Sequence, residues 1–206
     1  MTLADEDVRV AGAEKARPGL HLPRKAALLV IDMQAGFDDP SWGRRNNPGA
    51  EDCVVRLLAA WRASGRPIIH VHHTSLGADG CFRAGTPGQV AKSETGPRIG
   101  EAVVGKTVNS GFIGTGMEAM LRGDGIETVV LVGLTTNHCV STTARMAGNL
   151  GFRTLVVSDA TAAFDRRALD GSMRPAQEVH LAALSDLKDE FAEIVDTAAV
   201  LRALGA

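Results

Sequence analysis

Three residues far apart in the chain, Asp32, Lys106 and Cys139, are of the types that together can attack a carbonyl carbon. Cys139 lies in TVVLVGLTTNHCVSTTARMA, residues 128–147, which reads as a buried strand, a tight glycine-containing turn and a helix with the cysteine in its first turn. Unpaired amides and the positive end of the helix dipole at such a position favour an anion. The thiol is therefore expected to be acidified below its ordinary value of about 8.5, with a usable thiolate fraction at neutral pH. Asp32 directly follows the apolar run of Leu-Leu-Val-Ile-Asp-Met-Gln. A carboxylate at a half-desolvated strand end has its pKa raised toward the range where it can both take and return a proton. Lys106 offers the opposite charge, which would keep Asp32 ionised and stabilise first a thiolate and then an oxyanion.

Positioning these groups requires a frame that the rest of the chain supplies. Apolar, β-rich runs recur at Ala26–Ile31, Pro67–Val71, Thr128–Val132, Arg153–Val157 and Phe191–Val195, with a weaker one at Ala102–Lys106. Helical patterns lie between most of them. In 52–63, Val54, Leu57, Leu58 and Trp61 share one face at helical spacing. Thr115-Gly116-Met117-Glu118 has the form of a capping box opening a second helix. Further helices are expected at 139–150, at 176–186 and after Asp196. Near-continuous apolar strands alternating with helices indicate α/β: a doubly wound, mostly parallel six-stranded sheet with helices on both faces, in three layers. In such sheets ligands bind beyond the carboxyl ends of the strands. That nominates Asp32, His72, His73, the Lys106 region, residues 135–139 and Asp159. The Gly- and Pro-rich stretch 77–97 is long enough to be a binding loop or lid.

The motifs Val-Ile-Asp-Met-Gln-x-x-Phe at 30–37, Lys106 followed by Asn109-Ser110-x-Phe112, and Val-Gly-Leu-Thr-Thr-Asn-His-Cys-Val at 132–140 occur in this order. Together they resemble the isochorismatase-like cysteine hydrolases, which include nicotinamidases and N-carbamoylsarcosine amidase. The resemblance runs from about residue 24 to near the end. It implies Cys139 as nucleophile, Asp32 as general base and Lys106 as electrostatic partner. It also implies a cis peptide between Leu134 and Thr135, with the Thr135 and Cys139 amides forming the oxyanion hole. By motif position Phe37, Trp42, Asn46, Asn47, Phe112 and Asn137 should surround the thiol, with His73 or His72 as pocket wall or hydrogen-bond donor. An apolar wall with a few amide groups suits a small amide, carbamoyl or imide substrate. Alone, a cysteine is usually a small buried hydrophobe, and an aspartate or lysine a turn cap or a solvated charge; in these motifs the functional reading prevails for Cys139, Asp32 and Lys106. Phe37 and Phe112 could equally be core.

Other classes are disfavoured. The metal-binding nicotinamidases carry an Asp-x-His pair after the first strand, and 41–52 here contains none, so neither metal nor cofactor is expected. Met33-Gln34-Ala35-Gly36 lacks a glycine-rich phosphate turn, which argues against dinucleotide binding. Net charge is −2 with both signs interspersed, giving no support to a nucleic-acid or membrane surface, so the partner is a small molecule. Cys53, Cys81 and Cys139 are widely spaced and odd in number, fitting neither a disulfide framework nor a cysteine zinc site. The first twenty residues include Asp5, Glu6, Asp7, Glu14 and Lys15 and no signal-like apolar stretch, so a cytoplasmic protein is expected. With 206 residues, 45% of them hydrophobic, one domain at 24–206 is expected behind an extension at 1–23. The resemblance also implies a homo-oligomer, dimer or tetramer. Two alternatives remain: vinyl-ether hydrolysis of an isochorismate-like acid with Asp32 as the acid, and a redox-sensing or ligand-binding module, for which no resolving cysteine is evident. The roles of Arg44 and Arg45 stay open.

Overall fold

The computed structural model describes residues 19–205, so of the expected extension residues 1–18 lie outside the described residues. Six parallel strands form the sheet: β1 (Ala26–Ile31), β2 (Ile68–His73), β3 (Ala102–Lys106), β4 (Thr128–Leu134), β5 (Arg153–Ala162) and, after a two-stranded hairpin of β6 (Arg166–Arg167) and β7 (Met173–Arg174), β8 (Glu193–Val195). Their order is β3-β2-β1-β4-β5-β8. The chain thus winds outward in both directions from β1, and the switch point falls between β1 and β4, where a crevice opens beyond the strand ends.

Helices α1 (Ala50–Ser64), α2 (Met117–Gly123), α3 (Ser141–Asn149), α4 (Ala176–Leu187) and α5 (Thr197–Leu204) cover the sheet. Alternation along β1 decides the layers: Leu28 and Val30 pack with Val54, Leu57, Leu58 and Trp61 of α1 and Val200 of α5. Ala27, Leu29 and Ile31 pack on the opposite face with Met117 and Leu121 of α2, Ala144 and Ala147 of α3, and Leu184 and Leu187 of α4. This is the three-layer α/β arrangement expected, and the stripe expected on α1 is wholly buried. Among the described residues no helix is long and apolar enough to cross a membrane.

Three local expectations are corrected. The capping box does not start α2 at Thr115: the helix begins at Met117, because the Thr115 hydroxyl donates to the Gly111 carbonyl (2.6 Å) and Glu118 pairs with Arg122 (2.8 Å) rather than reaching back. Cys139 does not open a regular α-helix; residues Thr136–Val140 form a π-helical turn ahead of α3, a feature frequent at functional sites. β5 runs to Ala162 rather than stopping at Val157, so Asp159 is not at a strand end. Its carboxylate instead accepts from the backbone amide and hydroxyl of Thr197 (2.8 Å each) at the start of α5.

Candidate active site

The end of β4 is brought against β1 by Gly133. Its φ is +117°, and a Cβ there would lie 1.9 Å from the Ile31 carbonyl oxygen, so only glycine fits. The strand register shifts at this point, and the Leu134–Thr135 peptide that follows is cis. One residue beyond the paired Ile31, Asp32 takes a left-handed φ of 49°, a conformation aspartate tolerates better than most side chains. These two strand ends, with the end of β3 one strand beyond β2, gather three side chains from residues 32, 106 and 139.

Lys106 Nζ is the hub. It lies 2.7 Å from Asp32 Oδ2, 3.4 Å from Cys139 Sγ and 3.3 Å from His73 Nδ1. An ammonium has three protons and no lone pair, so these three acceptors use it fully. All of Asp32, Lys106 and Cys139 are buried. Burial holds Asp32 above its ordinary value, with the Lys106 charge pulling the other way. Burial, then the Asp32 charge, push the Cys139 thiol up to about 12. The expected acidified thiol is therefore corrected: the apolar enclosure and the neighbouring carboxylate outweigh Lys106, and the resting cysteine is a neutral thiol beside an Asp–Lys ion pair. Asp32 Oδ1 is buried and has no hydrogen-bond partner among the described residues, which leaves it a lone pair for a proton. Burial and the Lys106 charge lower the pKa of His73. A neutral ring can accept the Lys106 proton at Nδ1.

These groups open into a cavity of about 450 Å³ lined by Asp32, Cys139, Thr135, His73 and Asn109, with an aromatic wall of Phe37, Trp42 and Phe82. Phe37 contacts both other rings, at centroid distances of 5.1 and 4.7 Å, and the Trp42 indole donates to the Gly36 carbonyl at 2.9 Å. The long connection after β2 closes the other side with Ser75, Asp79, Gly80 and Cys81. Gln34 holds that connection in place: its amide accepts from the His73 amide (2.7 Å) and donates to the carbonyls of His73 (3.0 Å) and Gln89 (2.7 Å).

Not every expected pocket residue is there. Phe112 is buried in the core, stacked on Phe152 at 5.9 Å. The Asn47 amide is bound to the carbonyls of Ser158 (2.9 Å) and Thr161 (2.7 Å), and Asn46 pairs with Ala163 and Gln177, so both tie their loop to the end of β5. Asn137 borders a smaller adjoining cavity. Arg44 pairs with Asp165 (3.0 Å) and Arg45 binds Glu51 through both nitrogens (2.7 and 2.6 Å), which accounts for that pair of arginines within the chain. The three neighbouring histidines do not converge: His70 meets Glu101 (2.9 Å), His73 meets Lys106, and among the described residues no three His, Cys, Asp or Glu side chains are grouped to hold a metal. Phe82, Cys81 and Ser75 were not anticipated, because nothing local in a long loop tells which of its side chains turns inward.

The Isochorismatase domain model matches residues 26–199. The chain is 45% identical over 176 residues to the uncharacterized isochorismatase family protein YrdC of Bacillus subtilis, covering 85% of this chain and 94% of that protein. It is 31% identical to Nicotinamidase 3 of Arabidopsis thaliana over 87% of this chain and 88% of that one. The crystal structure of a putative hydrolase of the isochorismatase family from Chromobacterium violaceum superposes with a TM-score of 0.89 at 45% identity, covering 91% of this chain and 98% of that one. The family model spans most of the chain and the relatives match over nearly its whole length, and the chain belongs to the isochorismatase family of hydrolases.

Proposed function

We propose that this hydrolase cleaves the C–N bond of a small amide, carbamoyl or imide substrate through a thioester on Cys139. The observation that carries this reading is the buried Lys106 ammonium in contact with both the Asp32 carboxylate and the Cys139 sulfur, two groups that line one cavity. With the thiol at about 12, a standing thiolate is not available at neutral pH. Asp32 takes the proton as sulfur bonds to the carbonyl carbon. The oxyanion forms beside the Thr135 and Cys139 backbone amides. Asp32, its conjugate acid favoured by burial, returns the proton to the nitrogen as the C–N bond breaks and the amine leaves. A water, deprotonated by Asp32, then cleaves the thioester; the acid leaves and the thiol is restored. Lys106 balances the negative charge that passes between carboxylate, sulfur and oxygen, so the enclosed site never holds an uncompensated anion. The relative named a nicotinamidase supports amide chemistry.

The test is ammonia or amine release from a panel of primary amides, carbamoyl compounds and cyclic imides by the wild type and Cys139→Ser. Release that the substitution reduces at least about a thousand-fold is the expected result. Equal release by both proteins, or hydrolysis only of vinyl ethers, would overturn it.

A further inference from the structure

We propose that His180, on α4 and outside every motif, is a positioning residue: through one hydrogen bond to Thr136 it fixes the turn that carries Cys139. The inference rests on the thiol-amidase reading for what the turn is positioned to do, and on independent geometry for how it is held. His180 Nδ1 lies 2.8 Å from the Thr136 hydroxyl oxygen, and both residues are buried. Thr136 opens the π-helical turn of Thr136–Val140. It directly follows Thr135, whose amide would meet the oxyanion, and stands shortly before Cys139.

The turn has little else to set its direction. Its own bonds run inward: the His138 and Val140 amides both donate to the Thr135 carbonyl (3.1 and 3.2 Å), and the side chains of Thr135, Asn137 and His138 hydrogen-bond only within the group. The wide turn that Val140 closes is rare as regular structure and occurs mostly as a single turn at functional sites. Apart from the Lys106 contact on the sulfur itself, Thr136–His180 is the one side-chain hydrogen bond, among the described residues, that joins 135–140 to another element.

α4 gives that bond a fixed far end. Asp165 accepts from the Ala176 amide in the first turn of the helix (2.8 Å), and Leu184 and Leu187 are buried in the same core as Cys139, Val140 and Ala144. Burial lowers the His180 pKa, so the ring is neutral at neutral pH. A neutral imidazole and a hydroxyl satisfy each other whichever of them donates. Mutual satisfaction alone does not account for the pair, since two apolar side chains of the same shape would fill the space at nearly equal stability. What the polar pair adds is direction: Nδ1 sets where the Thr136 oxygen lies, and with it where the turn points. Rotation of the turn would move the sulfur and both amides together, and a misplacement of about 1 Å at a reacting centre costs on the order of a hundred-fold in rate.

The experiment measures kcat and KM on the best amide of the panel for Thr136→Val, Thr136→Ser, His180→Leu and the double variant combining Thr136→Val with His180→Leu, each shown by its urea midpoint to be folded under assay conditions. Thr136→Val and His180→Leu should each lower kcat about ten-fold and leave KM within about two-fold, because a displaced turn spoils contacts made in the transition state more than those that bind the substrate. Thr136→Ser keeps the hydroxyl and should stay within about two-fold of the wild type in both constants. The double variant should lose no more than either single one, since both remove the same bond. An unchanged kcat in Thr136→Val, an equal loss in Thr136→Ser, or losses that multiply in the double variant would overturn the anchor while leaving thiol-dependent amide cleavage intact. If no amide is turned over, hydrogen–deuterium exchange of 135–141 becomes the readout. Faster exchange there in both single variants, with α1 unchanged and Thr136→Ser like the wild type, upholds the anchor although the amidase reading fails. Exchange equal to the wild type in Thr136→Val overturns it.

Discussion

At the scale of the residue, the site is organised by the valence of one ammonium. Lys106 has three protons and three acceptors, and removing it leaves a carboxylate and a thiol with no compensating charge. Lys106→Met should therefore reduce kcat/KM by at least about a hundred-fold, the usual loss for one donor at a developing anion, measured on the best amide of the panel. The pH dependence follows from the two perturbed acids. Asp32 must be ionised to accept the proton, and burial raises its pKa above 3.8, so activity should fall on acidification through a value above that of an exposed carboxylate. Because Cys139 lies at about 12, the rate should show no rise with an inflection near the ordinary thiol value of about 8.5. A profile of kcat/KM against pH that did rise there would mean that free thiolate is the attacking species.

At the scale of the element, two glycines fix how closely backbone and side chains meet around the site, and their replacements should fail differently. In Gly133→Ala the new Cβ collides with backbone, the Ile31 carbonyl at 1.9 Å, and neither central strand can yield. The expected outcome is a stability loss of about 3 kcal/mol or more in denaturant titration, together with displacement of Cys139 from Asp32. In Gly36→Ala the Cβ meets the Phe82 ring at 2.6 Å, the movable end of a side chain that lines the cavity. There the protein should stay folded and the KM should rise as the ring is pushed into substrate space.

At the scale of the whole molecule, the helix layer is tied to the sheet by one nearly enclosed network. Glu101 receives both nitrogens of Arg62 from α1 (2.7 and 3.0 Å), His70 from β2 (2.9 Å) and the Arg98 amide (2.9 Å). The Arg62 hydrogen bonds above all depress its carboxyl from 4.5 to about 2. A group whose folded pKa is lowered adds stability that is complete above its unfolded value and is lost as pH falls toward the folded one. Glu101→Gln should accordingly lower the urea midpoint at neutral pH, and the gap from wild type should narrow as pH drops from 4.5 toward about 2. A gap independent of pH would show that the carboxylate charge is not what stabilises the junction.

The chain alone determined what depends on order and local chemistry. The unbroken apolar run of β1, the buried stripe of Val54, Leu57, Leu58 and Trp61, and the placement of Asp32, Lys106 and Cys139 just after or at the ends of strands were all legible, because periodicity and burial of apolar surface act the same way wherever the chain goes. What only the tertiary structure decided was which side chains face one another. Asn47 stands near a motif in sequence and Phe112 within one, yet Asn47 spends its amide on carbonyls and Phe112 packs in the core. Phe82 and Cys81, remote from every motif, wall the cavity because Gln34 stitches their loop across the strand ends. The charge state of the thiol belongs to the same class. A helix-like turn suggested acidification, yet desolvation is set by everything packed around the sulfur, and here it exceeds the pull of a single lysine.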